Sequence, residues 1–118
     1  MTIRRMKAYT GGQGYVYQYY FVGKRPASSD DGLSTEYVFD VTSDRKTTFA
    51  VSIFLPDSAV RNWAGANGRA LTDAEQYGAV KMRLFQAFDE IENMMANGRR
   101  LELTSNHLQA VLAALGVT

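Results

Sequence analysis

Two alternating runs on either side of a charged turn constrain the fold of this chain more than any other feature. Tyr37, Phe39 and Val41 occupy every second position of residues 35–43, and Phe49, Val51, Ile53 and Leu55 do the same in residues 47–55. A period of two puts each set on one face of a strand. Both sets share a core if Val41 sits opposite Phe49 and Phe39 opposite Val51, which leaves Asp44, Arg45 and Lys46 as a three-residue loop.

An apolar sheet face needs a second layer, and helical patterns downstream supply one. Thr72-Asp73-Ala74-Glu75 has the form of a capping box. Behind it Tyr77, Val80, Leu84, Phe88, Ile91 and Met95 step by three and four, so one apolar stripe runs along a helix over residues 73–96, ended by Asn97 and Gly98. A shorter helix opens at Pro56, Asp57 and Ser58 and runs to about Ala64, with Trp63 near its end. A last helix, capped by Ser105, buries Leu108, Val111, Leu112 and Leu115 and stops at Gly116. Residues 99–103 fit a short edge strand.

The first part of the chain reads as another hairpin. Residues 3–10 and 15–23 flank Gly11, Gly12, Gln13 and Gly14. If that turn pairs Thr10 with Tyr15, Ala8 faces Tyr17, Met6 faces Tyr19 and Arg4 faces Phe21, on the core side. Arg5, Lys7, Tyr9, Val16, Gln18 and Tyr20 then occupy the opposite, solvent face. Residues 24–34, rich in Ser, Asp, Gly and Pro, read as a mobile polar connection. The expected fold is a single α+β domain over residues 1–118: an antiparallel sheet of about four strands, in two consecutive hairpins, covered on one face by a long helix and two shorter ones.

Composition closes several functional classes. The chain has no cysteine and one histidine, so disulfide scaffolds, thiol catalysis and the usual transition-metal sites have no ligands to build on. No stretch approaches the roughly 18 apolar residues of a membrane span, and Met1 to Lys7 lacks a signal peptide's apolar run. A cytoplasmic protein with no membrane association is expected. The formal net charge of +1 conceals an asymmetry. Residues 1–26 hold five lysines and arginines and no acid, hence +5, against −4 for the remainder. Five of the seven tyrosines fall in the same segment.

Cations interleaved with aromatic rings suit phosphates and unstacked bases. Arg5, Lys7, Tyr9, Gln18 and Tyr20 are therefore the candidate nucleic-acid-binding residues, unless Glu36 and Asp40 on an adjoining strand neutralise them. Tyr15, Tyr17 and Tyr19 can fill a core or line a pocket. The glycine loop leads into a strand rather than a helix, so it is a turn and not a phosphate cradle. His107, two residues from Ser105 in an exposed first turn, has no motif around it to make it a general base. Asp89 and Glu92, at i and i+3, flank the apolar stripe on a solvated face. Phe54, Trp63 and Met95 are candidates for an apolar interaction patch.

The reading that asks for the fewest special residues is a small non-enzymatic binding or interaction protein, without cofactor or metal, whose partner is another protein or a second copy of itself. The alternative is weak binding of single-stranded nucleic acid through the basic-aromatic face.

Overall fold

Strand alternation and helix caps act out most of this plan in the computed structural model of the protein, which describes residues 6–12, 14–29 and 32–118. Among these, five strands form one sheet in sequence order: β1 (Lys7–Thr10), β2 (Val16–Ser29), β3 (Gly32–Thr42), β4 (Phe49–Pro56) and β5 (Arg100–Glu102). β1 to β4 are antiparallel, and β5 runs parallel to β4 because the chain crosses over through helices before returning to the sheet edge. The helices are α1 (Asp57–Asn67), α2 (Asp73–Glu90), the single turn α3 (Met94–Asn97) and α4 (Ser105–Ala114). The architecture is α+β, with one more strand than expected.

β3 and β4 pair in the anticipated register, Val41 with Phe49 and Phe39 with Val51. Their inward side chains, with Tyr17 and Tyr19 from β2, are almost fully buried. Val80, Leu84 and Phe88 of α2 are completely buried, and Ala59 and Trp63 of α1 and Leu108, Val111 and Leu112 of α4 belong to the same core. The side chains that alternate with these on the strands, among them Val16, Gln18, Tyr20, Ser52 and Phe54, lie outside that core.

Leu115, expected on the buried face of the last helix, lies past its end and is exposed. Four further expectations need correction. Residues 24–29 and 32–34 are not a connection: β2 and β3 pair from Phe21↔Phe39 across a bulge to Ser29↔Gly32, so the two hairpins merge into one sheet. Polar composition there reflects exposure of Lys24, Arg25, Pro26 and Ser28 on the strand. The Arg25 guanidinium donates to both Glu36 carboxylate oxygens at 2.8 and 3.4 Å, and the Ser52 hydroxyl donates to Glu36 at 2.7 Å. Glu36 is thus committed to Arg25, whose hydrogen bonds, followed by that of Ser52, hold its carboxyl below the usual range. The second correction is the register of β1. Thr10 pairs with Val16, not Tyr15, because the loop closes through Gly11 N–H donating to the Tyr15 carbonyl at 2.8 Å. A one-residue shift turns a whole strand over. Lys7 and Tyr9 therefore share the helix side with Tyr19 and Tyr17.

Third, the long helix ends at Glu90 rather than continuing to 96; Ile91 is extended and Asn93 caps a separate turn by accepting from Ala96 N–H at 3.2 Å. Fourth, Thr104 rather than Ser105 caps α4, accepting from His107 N–H, while the Ser105 hydroxyl accepts from Asn62.

The capping box of α2 is present in full and carries an ion pair. Thr72 N–H and both Arg69 Nη groups donate to the Glu75 carboxylate at 3.0, 2.8 and 2.8 Å. The Arg69 guanidinium, followed by the Thr72 amide, lowers the Glu75 pKa to about 2 from its ordinary 4.5. A pKa depressed on folding stabilises the protein above the unfolded value and loses that contribution as pH falls through the folded one. The Tm gap between wild type and Glu75→Gln should accordingly be constant above about pH 5 and shrink between pH 4.5 and 2. A gap that held unchanged to pH 2 in thermal melts would remove Glu75 from this role.

Candidate functional site

The break after α2 shapes a cleft. Ile91 N–H still donates to the Ala87 carbonyl at 2.8 Å, but the chain then turns outward through Glu92 to the Asn93 cap. α3 buries Met94 and leaves Met95 42% exposed. Facing it, the tight glycine loop delivers Tyr15, 53% exposed, at the entry to β2. The space between is about 580 Å³, lined by Tyr15, Tyr17, Ser43, Phe49, Glu92, Asn93, Met94 and Met95. That volume lies in the range of small-molecule sites, roughly 300–1,000 Å³.

The floor is rigid. Tyr17 is stacked on Phe88 with centroids 4.3 Å apart and planes 6° from parallel. Tyr15 leans on Tyr17 at 6.5 Å. Asp89 fastens the loop that carries Tyr15: its carboxylate accepts the Gly12 N–H at 2.8 Å and the Tyr9 hydroxyl at 3.0 and 3.1 Å. The Tyr9 ring lies flat on Phe85, 4.4 Å between centroids. Burial, followed by the Asp89 hydrogen bond, raises the Tyr9 pKa above its ordinary value, so the phenol stays a donor. Asp89 is therefore a clamp inside the fold. Glu92, beyond the helix end, stands in the cleft, and the two carboxylates do not share a helix face.

Other predicted residues are dispersed. Of the basic-aromatic set, Arg5 lies outside the described residues. Lys7 and Tyr9 are on the helix side, whereas Gln18 and Tyr20 alternate to the open sheet face, so these do not form one platform. Lys7 instead meets Lys81 of α2, whose ammonium lies 5.7–5.8 Å from the centroids of Tyr19, Tyr77 and Phe85. Burial, followed by the Lys7 charge, lowers the Lys81 pKa.

The expected apolar patch also separates. Phe54 lies on the open face under the Arg100 guanidinium, 4.1 Å from its centroid. Trp63 is buried beneath Arg69, and only Met95 reaches the cleft. His107 Nε2 is 2.7 Å from Gln86 Oε1, and burial, then the Arg83 charge, lowers its pKa, which favours the neutral ring.

No family model, curated protein or solved structure matches the chain. The site's chemistry rests on its own residues. The sequence offers the tyrosines as core or pocket rings and Met95 as part of a surface patch, but its apolar stripe runs straight through the cleft. Asn93, a poor interior helix residue and a good cap, was the available signal of the break. Among the described residues no helix is long and apolar enough to cross a membrane.

Proposed function

We propose that the chain is a non-enzymatic binding protein whose ligand surface is the cleft between the β2 entry and α3. The supporting observation is that Tyr15 and Met95, two of the exposed large hydrophobic side chains, stand on the walls of the same cleft. Exposing such groups costs hydration free energy, and a ligand recovers it by covering them. Glu92, Asn93 and Ser43 add a few polar groups to orient an occupant, which is the usual make-up of a binding cleft.

A second reading is favoured by the meeting of Lys7 and Lys81 above three aromatic rings. That cluster is a revised version of the basic-aromatic site, displaced to the β1–α2 edge, and it suits a phosphate of single-stranded nucleic acid. One NMR experiment separates the two. Labelled protein is titrated with a mixture of small aromatic and aliphatic fragments and, in a second arm, with mixed-sequence single-stranded DNA and RNA at low and physiological salt. Fragment shifts gathered at residues 15–17, 43, 49 and 92–95 are expected. Scattered or absent fragment shifts would defeat the cleft reading, and salt-sensitive oligonucleotide shifts around Lys7 and Lys81 would install the second in its place.

A further inference from the structure

We infer that the cleft takes an organic ammonium group, a methylated amine whose positive charge is spread over its N-methyl groups. This names the ligand class of the proposed site and rests on that reading. Three rings border it, Tyr15 exposed and Tyr17 and Phe49 nearly buried behind it, together with the thioethers of buried Met94 and exposed Met95. Aromatic faces carry negative quadrupole density and attract cations, and polarisable sulfur packs well against methyl groups.

The lining itself carries charge of one sign, with Arg45, Lys46 and Arg99 close by but outside it. Glu92 is the ionisable acid of the lining, and among the described lining residues there is no lysine or arginine. A second observation adds to it independently. α2, eighteen residues long, ends beside the cleft with no basic residue in its own last turn, so the helix itself sets no cation against the negative end of its dipole. An anion is disfavoured at this place and a cation favoured.

The kind of cation follows from the donors. Calcium and magnesium need several oxygen ligands at fixed distances, and a lone carboxylate among rings and thioethers does not supply them. A primary ammonium is strongly hydrated and loses that hydration in such a cleft. A quaternary or trimethylated ammonium is weakly hydrated, has an apolar surface to cover Tyr15 and Met95, and keeps the charge that Glu92 and the helix end favour.

The group can arrive on a free small cation or on a trimethylated lysine of another protein. The test compares choline with 3,3-dimethyl-1-butanol, which has the same shape with carbon in place of the charged nitrogen, by chemical-shift titration of the labelled protein. Choline is expected to bind the cleft about tenfold more tightly than the neutral isostere, a ratio consistent with a modest cation–π and charge contribution. Glu92→Gln and Tyr15→Leu, both at exposed positions, should each weaken choline binding several-fold while leaving the rest of the amide spectrum in place. A peptide bearing trimethyllysine that binds more tightly than choline identifies a protein source, and one that binds no better identifies the free cation. Equal affinity for choline and its isostere, or fragment binding at the cleft with choline silent, overturns the ammonium assignment and leaves the binding cleft standing. Silence of choline, isostere and fragments alike overturns both.

Discussion

Phe88→Ala should lower the stability of the protein by about 3–5 kcal/mol, the usual cost of emptying a large aromatic site in a core. Phe88 is completely buried. It stacks on Tyr17 at 4.3 Å and lies 5.8 and 6.3 Å from Tyr9 and Tyr19. It therefore joins α2 to both strands of the first hairpin. Collapse around the lost ring is restricted, because Tyr9 is tied to Asp89 and Tyr17 is held in the ladder opposite Tyr9. In thermal melts the loss corresponds to roughly 10–20 °C in Tm for a domain of this size. Phe88→Leu keeps most of the volume and should cost less than about 1.5 kcal/mol. An alanine variant melting within a degree or two of wild type would mean that α2 does not seat on β2 as described.

That helix was legible because its information is redundant. The capping box fixes the start, and Tyr77, Val80, Leu84 and Phe88 each specify the same face, so a single misjudged residue cannot rotate it. The β3–β4 register was legible for a similar reason: three or four large inward side chains on each strand must coincide, and a slip of one would expose them all. The β1 register had no such redundancy. Four residues of β1 carry one large ring, Tyr9, and a loop with three glycines can close in more than one length. Burying Tyr9 between Phe85 and Asp89 rather than leaving Ala8 inward decides the matter, and Phe85 and Asp89 are distant in sequence.

The cleft was only half legible for the same physical reason. Tyr15 was visible as a ring for the core or a pocket and Met95 as part of an apolar patch, but their meeting depends on the helix stopping at Glu90, where the 3.6-residue rhythm itself continues through Ile91 and Met95. Periodicity reports which side chains prefer burial and not whether the backbone between them stays helical. The polar end of β2 and the start of β3 misled in the opposite sense. Serine and proline suggest a loop, yet exposed strand positions can carry them, and the Arg25–Glu36–Ser52 network pins the pairing across three strands.

Gly11→Ala is the second substitution with a large expected effect, and its neighbour supplies the control. Gly11 is buried, and a β-carbon built on it would sit 2.8 Å from the carbonyl oxygen of Phe88 and 3.3 Å from its carbonyl carbon. Both are backbone atoms near the end of α2, so relief requires the loop to move away from the helix. Such overpacking costs about 1–3 kcal/mol. At Gly12 the added carbon would meet Asp89 atoms at 3.7–3.9 Å, ordinary contact, and Gly12→Ala should stay within about 0.5 kcal/mol of wild type. The two variants differ in consequence as well as in cost. Gly11 N–H holds the Tyr15 carbonyl, and Gly12 N–H holds Asp89. Displacing Gly11 withdraws Tyr15 from the cleft, so Gly11→Ala should weaken ligand binding along with stability, whereas Gly12→Ala leaves both nearly unchanged. Urea unfolding and the choline titration on the same pair of variants read the two effects separately. Equal behaviour of the two alanine variants in both measurements would show that the loop does not rest on Phe88.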